Sequence, residues 1–441
     1  MFEFLPLLTV VAVMGGVAVI GRYLEKSWIS PAVVFATLWT VVSLPAGLVF
    51  AQLPGMRAGL AWIVVSVVAV LAGSQLAKPF ARPTSLRVCQ SQATACHVRR
   101  LRVLAALATI AGFFELLFIA ARRGFRLGDV LSYAAIAQLT SANRAEFIYG
   151  DMQQAPFERF VFLLLYSGAI IGGLLFRHGR TRYERALGVL PLILLLLVFG
   201  VFGSRMGALY GGSFWVSSFL AASLIDSGEN DNRSTQLLVK AGVAAGVVLF
   251  GASMGTQILR YSASGGDLQW TKMTADGVSF VGAFGIWFDQ HRLVGDQLLG
   301  GGRFFRWLVA LVGPNVPIAP AMPVGFTSSN IYTIHRDLIE DFGTIGALLM
   351  YGTLGFWGRW AFDRVRAGSW SWFPSLLLAY AVTFTSVAFS VFSYGVTTLA
   401  VLMLFLYFGM MRWYEADGRD SVRATIPVPG NRTADCDRGL V

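Results

Sequence analysis

Charge is scarce in this chain. Only 13% of its 441 residues are Asp, Glu, Lys or Arg, about half the share found in a typical soluble domain. Its length would allow two or three soluble domains, but so few charges cannot cover their surfaces. Cysteine is nearly missing too. The three present, Cys89, Cys96 and Cys436, exclude a disulfide-stapled scaffold and fit free thiols in a reducing compartment. The spacing Cys89…Cys96-His97 is wrong for a zinc site. No GxxxxGK[ST] loop is present, which leaves ATP-driven transport unsupported, and no HExxH helix points to a metalloprotease. Basic residues do not interleave with aromatics, so no nucleic-acid partner is expected. One D-x-D pair, Asp435-Cys436-Asp437, lies in a Pro/Gly/Arg tail without an α/β domain around it. That tail, 412–441, is expected to be cytoplasmic and disordered.

What the chain has instead is apolar length. Hydrophobic residues make up 56% and mean hydropathy is +0.63. Apolar stretches recur at 4–20, 31–50, 60–76, 103–121, 160–176, 186–202, 206–225, 239–254, 342–362, 372–391 and 395–411. Each is of a length suited to a transmembrane helix. The expected fold is therefore all-α, a single polytopic membrane domain over 1–411 with about eleven spans. Between the eighth and ninth spans lies a long loop, 256–341. Its two short apolar pieces, 278–287 and 307–312, are expected to form amphipathic or re-entrant helices.

The formal net charge of +11 follows this topology. Lys78, Arg82, Arg87, Arg99, Arg100 and Arg102 crowd one acid-free loop, which the positive-inside rule assigns to the cytoplasm. Alternation then predicts an external N-terminus, a cytoplasmic C-terminus and an external long loop. The first span lacks a basic leader and a small-residue exit, and reads as uncleaved.

Polar residues at the outer boundary are the candidate functional groups. Arg205 sits in the tight turn Gly203-Ser204-Arg205 between two spans, and Arg260 closes the eighth span. Glu115 is an acid within the fourth span and so a functional candidate by default, though a weaker choice of base than the residues below. From Thr327, Ser328 and Ser329, expected to cap a helix, the chain runs into the ninth span. On that helix Tyr332, Arg336 and Glu340 would stack, beside Thr333, Asp337 and Asp341. With His335, these residues are expected to share a face just above the membrane.

Three segments carry a resemblance. The turn Gly203-Ser204-Arg205-Met206-Gly207 is one, with Met206 displacing by one position the glycine of a Ser-Arg-Gly pattern. The second is the phenylalanine-rich 279–313, which includes Gly300-Gly301-Gly302-Arg303-Phe304-Phe305-Arg306-Trp307. The third is Asn330-Ile331-Tyr332-Thr333 followed by Asp341-Phe342-Gly343. In these the chain resembles the bacterial oligosaccharide repeat-unit polymerases, the Wzy O-antigen polymerase family, and more distantly the O-antigen ligases. The resemblance spans about 160–411.

It implies a GT-C-like, metal-independent glycosyltransferase without cofactor at the periplasmic face of the inner membrane. Its partners would be an undecaprenyl-diphosphate-linked glycan donor and acceptor within the membrane lipids. A polysaccharide chain-length regulator is a further candidate partner. The growing chain would pass to the incoming repeat unit with release of undecaprenyl diphosphate. Such chemistry asks for arginines on the diphosphate and a base for the attacking hydroxyl. Arg205, Arg260 and Arg336 are the first choices for the arginines, followed by Arg303 and Arg292. The base falls among His335, Asp337 and Asp341, and Tyr332 could line the sugar groove. The rival readings are an O-antigen ligase delivering glycan to lipid A–core and a polysaccharide transporter or flippase. A transporter would be expected to show inverted repeats and charges near the bilayer midplane.

Overall fold

A computed structural model describes residues 4–80, 91–125, 156–202, 204–227, 270–291, 302–310, 322–325, 327–329, 333–388 and 390–409, with scattered positions between them. The protein is mostly helical. Seven helices among the described residues are long and apolar enough to cross a membrane. They are α1 (Phe4–Glu25), α2 (Pro31–Val49), α3 (Met56–Ala77), α4 (Ser91–Arg122), α5 (Pro156–His178), α6 (Arg182–Val201) and α7 (Arg205–Ser227), and they match the first seven spans read from the sequence. The eighth expected span, 239–254, lies outside the described residues.

Local chemistry starts these helices where the polar punctuation falls. Ser30 accepts from the Val33 N–H ahead of Pro31 at the first turn of α2, a position where proline's missing donor costs nothing. At α6, Thr181 and Glu184 form a reciprocal capping box. The helices then assemble in two groups. One holds α1, α2 and α3 with the late helix α10 (Ile334–Arg366), and the other holds α4 to α7. A short helix, α11 (Phe373–Thr385), packs on both α7 and α2 and so joins them. The α3–α10 contact is backbone against backbone. A methyl group at Gly355 would overlap the Val70 carbonyl, and such small-residue seams suit helix pairing where water provides no drive.

The expected long loop holds α8 (Trp270–His291), α9 (Arg306–Ala310) and a small antiparallel hairpin. Its strands, β1 (Met322–Val324) and β2 (Thr327–Ser329), pair Met322 with Ser329 and Val324 with Thr327. Thr327, Ser328 and Ser329 were expected to cap a helix. They are a strand, and the residue at the start of α10 is Thr333.

Two late spans depart from the expected course. At the ninth, the polar entry segment does not run straight into the span, which is itself helical beyond Gly343. Gly343 has φ 70° and ψ 176°, a conformation open almost only to glycine. The Tyr351 hydroxyl is hydrogen-bonded to Nδ1 of His335, sixteen residues earlier. In a straight helix those residues would stand about 24 Å apart. The Ile334–Phe342 half therefore folds back beside the half that follows Gly343. The second departure is in the tenth span, because α11 stops at Thr385. The Thr383 and Thr385 hydroxyls donate to the carbonyls of Ala379 and Ala381, and the Ser386 hydroxyl donates to the Thr383 carbonyl. Side chains that serve the backbone in this way compete with the helix and favour its end. At about 20 Å, α11 is shorter than a hydrocarbon core. The chain resumes at α12 (Gly395–Gly409), fifteen residues within the expected eleventh span.

Candidate functional site

The folded-back half of α10 carries most of the polar candidates, and its reversal decides their depth. Its first turn meets the end of α11, where the Ile334 N–H donates to the Ser386 carbonyl at 3.0 Å. The His335 ring lies tilted 4.6 Å from Trp39 and 5.3 Å from Phe284, centroid to centroid. Trp39 is near the midpoint of α2. Instead of standing above the bundle, as a straight entry helix would, His335 is therefore sunk to the mid-length of α2. It is fully buried, enclosed by two aromatic rings and bonded to Tyr351.

Asp337 follows one turn after Thr333 and is also buried. Its Oδ2 makes no hydrogen bond among the described residues. Around it stand the phenols of Tyr210 on α7, Tyr351 on α10 and Tyr394, all within electrostatic reach. The Tyr210 hydroxyl itself donates to the Ser390 carbonyl at 3.0 Å. A buried carboxyl oxygen with no donor is expensive to maintain, so it marks a place where chemistry or a ligand would be stabilising.

Nearer Gly343 the arrangement is ionic. Oε1 of Glu340 accepts from Nε of Arg336 at 2.7 Å, and its Oε2 is paired with Nε of Arg303. The Arg336 guanidinium lies 5.2 Å over the Trp287 ring of α8, a favourable cation–π position. Asp341 is engaged differently. Its carboxylate accepts the backbone N–H of Arg303 at 3.0 and 3.1 Å and that of Phe304 at 2.6 Å. Its own carbonyl accepts the Gly300 N–H at 3.1 Å.

Of the residues selected from sequence, His335, Arg336, Asp337, Asp341 and Arg303 are thus brought together. Arg205 opens α7, where the neighbouring Ser204 hydroxyl accepts the Gly207 N–H at 3.4 Å. Arg260, Arg292 and Tyr332 lie outside the described residues. Glu115 belongs elsewhere, buried in α4 of the other helix group with neither carboxyl oxygen hydrogen-bonded among the described residues. Sequence reasoning gave no role to Glu340, Trp287, Tyr210, Tyr351 or Tyr394. Glu340 was visible as the i+4 neighbour of Arg336. The others are distant in sequence and meet the site only through the reversal and the packing of α7 and α8. Among the described residues no group of three His, Cys, Asp or Glu could hold a metal ion.

No protein-family model, no curated protein and no solved structure matches this chain.

Proposed function

We propose that this protein is a membrane glycosyltransferase that polymerises undecaprenyl-diphosphate-linked repeat units into O-antigen or a related surface polysaccharide. The observation that carries this reading is the pairing of Arg303 and Arg336 on Glu340 beside the buried Asp337. It joins two cations suited to a diphosphate with a carboxyl suited to take a proton. In the reaction, a hydroxyl oxygen of the incoming repeat unit attacks the anomeric carbon of the growing chain. The bond from that carbon to the diphosphate oxygen breaks, and undecaprenyl diphosphate leaves with the bonding electrons. Guanidinium groups stabilise the departing charge, and the hydroxyl proton passes to a carboxylate base.

Asp337 is the best of the three candidate bases. The Asp341 oxygens are engaged by backbone N–H groups, and His335 is enclosed by Trp39, Phe284 and Tyr351. In this reading the site faces the periplasm. The test is deletion in the native host, complemented with the wild type or with Asp337→Asn. The reading expects the deletion and a fully abundant Asp337→Asn protein to leave lipid A–core bearing one repeat unit and no polymer ladder. A normal ladder with Asp337→Asn would remove Asp337 as the base. Loss of every repeat unit on deletion would instead point to a ligase or a flippase.

A second reading is favoured by one observation. The folded-back half of α10 and the interrupted end of α11 meet inside the bundle beside Asp337, an arrangement that discontinuous transporter helices also use. A carrier would move lipid-linked glycan across reconstituted vesicles without lengthening it.

A further inference from the structure

We propose that Glu340 and Asp341 are positioning residues that set Arg303 and Arg336 as one paired site for a diphosphate group. The proposal rests on the glycosyltransferase reading and names what holds its anion site. Arg303 lies on the turn before α9 and Arg336 on α10, so nothing in local structure brings the two cations together. Asp341 ties down the backbone of that turn through the N–H groups of Gly300, Arg303 and Phe304. Glu340 then lies between the side chains, hydrogen-bonded to Nε of Arg336 and in ion-pair contact with Nε of Arg303. The terminal Nη edge of Arg303, the fork that grips phosphate oxygens in pairs, is not used by Glu340. One carboxylate between two guanidinium groups also offsets their mutual repulsion. Trp287 supports Arg336 from below. The Arg303 side chain keeps 18% of its surface exposed against 9% for Arg336, so an incoming anion reaches the pair from the Arg303 side. Asp341 is therefore assigned to positioning rather than to proton transfer.

Binding of inorganic pyrophosphate to the purified full-length protein in detergent tests this without requiring turnover. Glu340→Ala frees both side chains and should weaken binding about tenfold or more. Glu340→Gln keeps one acceptor but turns an NH2 donor toward the other Nε and removes the offsetting charge, so it should also weaken binding, by less than Glu340→Ala. Asp341→Asn should weaken binding and speed amide exchange at Arg303 and Phe304. Adding Arg303→Ala to it should cause little further loss, since the two act in series. Monodispersity of each variant separates these effects from misfolding. Unchanged or tighter pyrophosphate binding in Glu340→Ala would overturn the proposal. So would full additivity of Asp341→Asn with Arg303→Ala, or failure of the wild type to bind pyrophosphate. The polymer ladder judges the glycosyltransferase reading separately. A normal ladder response combined with failed pyrophosphate binding would remove the paired site and leave the enzyme.

Discussion

Replacing Gly343 by alanine attacks the reversal that places the site. At φ 70° and ψ 176° a side chain costs about 1–3 kcal/mol, which shifts a two-state balance by about five- to 150-fold. The chain relieves that strain by straightening α10, and straightening separates His335 from Tyr351. Cysteine cross-linking measures the outcome directly. With Cys89, Cys96 and Cys436 changed to serine, the His335→Cys/Tyr351→Cys pair should be bridged by a short bifunctional thiol reagent, because two Cys side chains fall short of the gap that the Tyr hydroxyl and His ring span. The same pair with Gly343→Ala should cross-link far less, in line with the five- to 150-fold shift. Failure of the parental pair to cross-link would refute the reversal. A yield unaffected by Gly343→Ala would refute the claim that the Gly343 backbone sustains it.

Other consequences concern stability. Tyr351→Phe removes the hydroxyl bonded to buried His335 and should cost about 1–3 kcal/mol, read as a lower unfolding midpoint in detergent; an unchanged midpoint would mean that the bond contributes nothing net. Arg359 on α10 is paired with Glu25, which is buried at the end of α1 and also accepts from Ser74 and Gln75 of α3, while Arg359 Nε reaches Asp363 at 2.7 Å. Arg359→Ala leaves that carboxylate buried without its cation and should cost about 3–5 kcal/mol. Adding Glu25→Gln should recover part of the loss, and equal stability of the single and double variants would disprove the coupling.

The sequence alone determined that this is a helical membrane protein, and it located the first seven spans. That information is local: runs of Val, Leu, Ile and Phe long enough to cross hydrocarbon need no partner to be recognised. The Arg336–Glu340 pair was legible for the same reason, since i, i+4 spacing is fixed by the helix itself. Hydropathy could not reveal the fold-back at the entry to the ninth span or the break in the tenth. The causes are the backbone angles of Gly343 and hydroxyl groups that bond to carbonyls one turn back, neither of which hydropathy records. Only the tertiary structure decided the depth of His335 and Asp337. Once α10 folds back at Gly343, burial follows from α2, α7, α8 and the end of α11 closing around the returning segment. The separate tasks of Glu340 and Asp341 were likewise out of reach, because adjacent carboxylates differ only in which distant donors the fold presents to each.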